Sequence, residues 1–164
     1  MNDDHHLKNF NERIAFSCIL PIAFPPAAVW FTEDSQAIII AHIFQLFCCL
    51  FLFFISGYIF SLMKRVQLLE SKTFMLFFSL TIIIISSLSL CISYFINPAW
   101  GMGSMLFGVL VLNKYPIPID LKVKFPQWYS VLINRITVML CICIMVMLAY
   151  WLNPYSEPLN LYKL

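Results

Sequence analysis

The sequence predicts an all-α integral membrane protein, one membrane domain over residues 1–164 built as a bundle of five transmembrane helices. Three observations carry that expectation. Hydrophobic residues make up 62% of the 164-residue chain and charged residues 11%, with a mean hydropathy of +0.87; soluble domains carry roughly 45–50% apolar and about 25% charged residues. The apolar residues gather into runs suited to a hydrocarbon core about 30 Å thick. The basic residues fall between those runs, on alternating sides. So few charged side chains cannot coat a water-soluble globule, and a chain with 16 Phe is too hydrophobic for intrinsic disorder. No run of basic and aromatic residues resembles a nucleic-acid surface. Membrane lipids are therefore the first expected partner, and nucleic acid is not one.

The first span is expected at 14–31, broken by Pro21, Pro25 and Pro26. The second, 37–62, is longer than the core demands at a rise of about 1.5 Å per residue. The third runs over 73–96 and the last over 136–152. Between them lies 98–112, nominally short for a span, which hydropathy alone leaves undecided. Charge placement decides it. With five spans and the N-terminus inside, the inner segments 1–13, 63–72 and 113–135 hold Lys8, Arg13, Lys64, Arg65, Lys72, Lys114, Lys122, Lys124 and Arg135. The outer segments hold Lys163 alone. Moving 98–112 out of the membrane would spoil this asymmetry, so the positive-inside rule predicts N-terminus in and C-terminus out. Trp30, Trp100 and Trp151 then sit at the outer interface and Trp128 at the inner one, where Trp is enriched.

The first thirteen residues mix Asp3, Asp4 and Glu12 with Lys8 and Arg13, unlike a secretory signal peptide or an Arg-rich mitochondrial presequence. The first span is expected to be retained. The inner connection 113–135 carries Pro116, Pro118 and Pro126, which favour extended backbone.

Chemistry is sparse inside the spans. None of the eight Asp and Glu residues lies in one, nor does any Lys or Arg. That argues against a self-contained ion-coupled transporter, which needs an ionisable group in the bundle interior. His42 in the second span, with Gln45 three residues on and so on the same helix face, is the candidate cofactor-binding pair. It could contact haem or a quinone supplied by a partner, or make an interhelical hydrogen bond. Cys18, Cys48, Cys49, Cys91, Cys141 and Cys143 all lie within spans without a C-x-x-C or metal spacing, and are expected to pack as protonated thiols. Ser104 to Gly108 forms a small-xxx-small step beside Gly101 and Gly103, and the third span carries Ser86, Ser87, Ser89 and Ser93. Such residues let helices approach and bond, so the short fourth span is expected at the bundle's centre. In the inner connection, Trp128, Tyr129 and Arg135 are the residue types that dominate interface energetics, and are the expected partner contacts. Lys114, Lys122 and Lys124 are expected to meet anionic headgroups.

The run Gly108-Val-Leu-Val-Leu-Asn113, then Pro126-Gln127-Trp128-Tyr129, Arg135-Ile-Thr137 and an apolar last span, resembles the transmembrane protein 69-like family, a domain of unknown function. Leu20-Pro21 and Ser56-Gly57 resemble it more loosely. The chain departs from the family at Ile59-Phe60, where a His-Trp often follows, and at Asn113, which replaces an Asp. The resemblance implies a multi-pass protein of the bacterial inner membrane, or alternatively the mitochondrial inner membrane, and implies no reaction. Together these features predict a non-enzymatic accessory or assembly subunit, without a cofactor of its own, packed against other integral membrane subunits of a larger, respiratory complex. The alternatives are a redox subunit contacting haem or quinone through His42, and an immunity protein against a membrane-inserting toxin.

Overall fold

The computed structural model describes residues 13, 17, 20–63, 69–114 and 127–153, with side chains described at 13, 17, 20–61, 72–111 and 134–153. Among the described residues the chain is almost entirely helical and holds no strand. Five helices follow in order: α1 (Leu20–Phe31), whose last turn Val29–Phe31 tightens to 3-10 geometry, α2 (Asp34–Met63), α3 (Leu69–Phe95), α4 (Pro98–Lys114) and α5 (Gln127–Trp151). Three of them, α2, α3 and α5, are long and apolar enough to cross a membrane. At 17 residues α4 reaches about 25 Å, short of a ~30 Å core. α1 is shorter still.

The ends of these helices follow local chemistry. Thr32 closes α1, donating its hydroxyl and its backbone N–H to the Val29 carbonyl. Asp34 opens α2, where a carboxylate suits the positive end of the helix dipole. Asn97 caps α4: its Oδ1 accepts the Ala99 N–H at 2.8 Å, and Pro98 takes the first helical position, where no N–H is needed.

Beyond shifts of a few residues at the ends of α2, α3 and α4, α1 and α5 differ from the expectation. The prolines do not break α1; it is helical from Leu20 through Phe31, with Pro25 and Pro26 buried. The last helix begins at Gln127, so 127–135, expected as extended connection, is helical. Polar Ser130, Asn134 and Arg135 interrupt the apolar run without interrupting the helix, because hydropathy marks where lipid contact starts and not where backbone bonding does.

Packing is organised by α3. Its fully buried residues are Met75, Ser79, Ile82, Ser86, Ser89 and Ser93, spaced four and three residues apart in alternation. That is the seam of a left-handed coiled coil, and four of its six positions are serine. α2 answers with Gln45, Cys49, Leu52 and Ser56, and carries a second buried stripe beside it, Ala37, Ala41, Phe44 and Cys48. Ser56 faces Ser79 and Cys49 faces Ser86, so α2 and α3 run antiparallel in one register.

α4 packs on α3, α5 and α2. Gly108 packs tightly on the middle of α3: a Cβ there would lie 2.6 Å from Ile85 Cγ2. The expectation that α4 sits at the bundle's centre is met on one side. Its other side presents Trp100, Gly103, Phe107 and Leu110 outward, a single stripe at helical spacing. Gly103, grouped with Gly101 in the sequence, lies on that open stripe.

At one end of the molecule α5 closes onto α2. The Tyr150 hydroxyl donates to Asp34 Oδ1 at 2.6 Å, and Trp30 stands edge-on to the Tyr150 ring with centroids 5.5 Å apart. Trp30 and Trp100 are exposed. Trp151 is not. It is wholly buried in the core, beside Tyr150 at the same end of the molecule.

Candidate functional site

Among the described residues the buried polar side chains, Thr137 on α5 apart, lie along the α2–α3 seam and reach α4 at its first turn. At the end of the seam far from Asp34, the Ser56 and Ser79 hydroxyls are 2.6 Å apart, and each lies within 3.0 Å of the other residue's carbonyl oxygen. Two protons can be shared among three acceptor contacts, so one hydroxyl donates to the other and that one donates to a carbonyl. Seven residues back on α2, the Cys49 thiol donates to the Ser86 carbonyl at 3.1 Å, while the Ser86 hydroxyl bonds back to the Ile82 carbonyl at 2.7 Å. These groups are satisfied within the chain. Interhelical bonds of this kind stabilise membrane bundles by about 0.6 kcal/mol each, at most about 1.7.

The next position along the seam behaves differently. Gln45 is fully buried, and neither its Oε1 nor its Nε2 has a hydrogen-bond partner; the Ser93 hydroxyl, also fully buried, has none either. Both lie against Gly101 in the first turn of α4. A Cβ on Gly101 would fall 2.5 Å from Gln45 Nε2, 2.5 Å from Ser93 Cβ and 2.8 Å from the Ser89 carbonyl oxygen. The missing side chain is what lets the carboxamide cross from α2 to α4. The Gly101 carbonyl is itself doubly engaged, accepting the Ser89 hydroxyl at 2.6 Å and the Ser104 hydroxyl at 2.8 Å. An α2 carboxamide, two α3 hydroxyls and the α4 backbone thus meet at one point.

His42 and Gln45, expected on one face, are parted by the edge of the seam. Gln45 enters it; His42 is half-buried at the rim, its ring 6.3 Å from that of Tyr94 on α3. Cys48, Cys49 and Cys141 are buried as expected, but Cys91 is exposed on α3. Among the described residues no group of three or more His, Cys, Asp or Glu could hold a metal ion. Arg135 is exposed on α5, whereas the side chains of Trp128 and Tyr129, the other expected partner contacts, lie outside the described residues, as do Lys122 and Lys124. Sequence reasoning noticed the serines of α3 without their period. It missed Ser79 altogether, although Ser79, Ser86 and Ser93 recur every seven residues, and that repeat marks the seam.

No family model, curated protein or solved structure matches this chain.

Proposed function

We propose that this chain is a non-catalytic membrane subunit whose bundle packs against transmembrane helices of a larger assembly. The observation that carries the proposal is the division of its four glycines. Gly101 and Gly108 are in tight contact inside the bundle, whereas Gly57 on α2 and Gly103 on α4 are exposed, with nothing within 4 Å of where a Cβ would stand. An outward glycine does no packing within the chain and costs a helix about 0.5–1 kcal/mol relative to Ala. Across a membrane interface the same glycine lets a second helix backbone approach closely, which is how small residues promote association in lipid. Gly103 is flanked on its stripe by Trp100, Phe107 and Leu110, which give a neighbouring helix large side chains to pack around.

The proposal includes five crossings, N-terminus inside, in a bacterial or mitochondrial inner membrane. Support comes from the charge asymmetry and from the integration of the short helices, since α4 packs on three others and the last turn of α1 meets α2 and α5. Affinity purification in mild detergent tests the function: the chain should emerge with other integral membrane subunits, and Gly103→Leu should reduce their recovery while the chain itself remains inserted. Recovery of the wild-type chain alone would overturn the proposal. Thiol labelling tests the topology in a Cys91→Ser background. Glu33→Cys and Trp100→Cys should react from the same side of the membrane, and opposite sides would refute it.

A further inference from the structure

We infer that Gln45 and Ser93 hold a single water molecule beneath the first turn of α4, a hydration site that ties α2 to the α3–α4 corner. Three buried polar atoms of these two residues have no partner in the chain: Gln45 Oε1, Gln45 Nε2 and Ser93 Oγ. Both residues are fully buried, so bulk solvent does not serve them. They are neighbours, because Gln45 Nε2 and Ser93 Cβ each lie 2.5 Å from the same point beside Gly101, and are at most twice that distance apart. Leaving such groups unpaired in a bundle interior is costly, and native proteins answer it with a protein partner or an ordered water.

The nearest α4 carbonyl is already committed. The Gly101 carbonyl takes the hydroxyls of Ser89 and Ser104. The set that remains is one carbonyl oxygen, one amide nitrogen with two N–H donors and one hydroxyl that can donate or accept, all neutral. A single water can donate to the carbonyl, accept one amide N–H and bond the hydroxyl, the about three hydrogen bonds a buried water typically makes. It supplies no charge to neutralise an ion.

The position also favours hydration. Ser93 lies in the last turn of α3, just before the connection through Ile96 and Asn97. His42 and Tyr94 form the rim on that side and Trp100 stands exposed at the start of α4. The site is therefore one turn below the corner where the two helices meet, where exchange with outside water needs little opening. This inference rests on the chain's own packing and is independent of any partner subunit.

Water-selective magnetisation transfer to side-chain amides tests it, using the ¹⁵N-labelled full chain in lipid nanodiscs. The exposed Gln36 serves as the positive control. The Gln45 amide protons should receive magnetisation from a bound water, and Ser93→Ala, which removes one of the water's three partners, should speed its exchange severalfold. Absence of transfer to Gln45 in the wild-type chain overturns the inference, whether the amide is dry or bonded directly to Ser93. Transfer that Ser93→Ala leaves unchanged places the water on Gln45 alone and overturns the shared site. The wild-type measurement decides the first point even if the variant fails to fold.

Discussion

Ser56 meets Ser79 near one end of the α2–α3 seam, and Gln45 meets Ser93 near the other. Both pairs join the same two helices, both are fully buried, and Ser79 and Ser93 are two heptads apart on one stripe. They differ in how their polar atoms are used. The serine pair bonds to itself and to one backbone carbonyl, because a short hydroxyl lies close to the opposite carbonyl when the helices approach. The carboxamide is too long for that, and passes beyond α3 to lie on Gly101 of α4. One end of the seam is a two-helix contact complete in itself. The other is a three-helix junction whose polar atoms the chain does not satisfy. Serine at a membrane seam therefore fixes register locally, while a longer polar residue makes its helix depend on a third element.

Enlarging Gly101 should disturb the molecule most. Gly101→Val brings atoms against Gln45, the Cβ of Ser93 and the Ser89 carbonyl, two of which belong to α3 and cannot rotate away. Overpacking typically costs about 1–3 kcal/mol, occasionally more, and a backbone obstruction places this variant at about 3 kcal/mol or above. Gly108→Ala meets one side chain, that of Ile85, and should cost about 1 kcal/mol. Reversible unfolding in detergent compares them. Equal losses would mean that the corner is no tighter than the middle of α4, and the contrast between the two ends would lose its structural basis.

The serine end can be tested by its coupling. Ser56→Ala and Ser79→Ala should each destabilise the bundle by about 0.6–1.7 kcal/mol, and the double variant should lose less than their sum, since one removal already breaks the shared contact. Additive losses in that cycle would show that the two hydroxyls do not act as a pair.

Tyr150→Phe probes the closure of α5 on α2. It removes the 2.6 Å bond to Asp34 and keeps the ring beside Trp30. A hydrogen bond to a carboxylate is worth about 1.5–3 kcal/mol when shielded. Asp34 is half-buried at a helix end, so about 1 kcal/mol is expected, read in the same unfolding assay. No change would place this end of α5 outside the cooperative unit.

Much of this architecture was legible beforehand. The apolar runs located every described helix, and charge placement kept the short α4 among them. The start of α5 was not legible. Trp128, Tyr129, Ser130, Asn134 and Arg135 lower the hydropathy of a segment whose backbone remains helical. The candidate site was half legible. His42 and Gln45 stood out as polar residues in an apolar span, but residues three apart differ by about 60° around a helix of 3.6 residues per turn, and the edge of the seam runs between them. Hydropathy cannot say on which side each falls. Nor could it sort the glycines, since Gly101 and Gly103 are two residues apart and point to opposite sides.

That sorting gives the smallest expected effect and the one that bears most on function. Gly57→Ala and Gly103→Ala each place a methyl in open space, so the isolated chain should gain up to about 0.5–1 kcal/mol in stability from the lost backbone freedom of the unfolded state. Gly101 and Gly108 should show the opposite sign. If a neighbouring subunit's helix lies against the Trp100–Leu110 stripe, however, the methyl at Gly103 intrudes on it. Gly103→Ala should then lower recovery of co-purifying subunits although the chain alone is as stable as before or more so. A rise in stability with no loss of partners at Gly103 and at Gly57 would assign both glycines to lipid contact. The outward stripe of α4 would then be a surface for acyl chains and not for a helix.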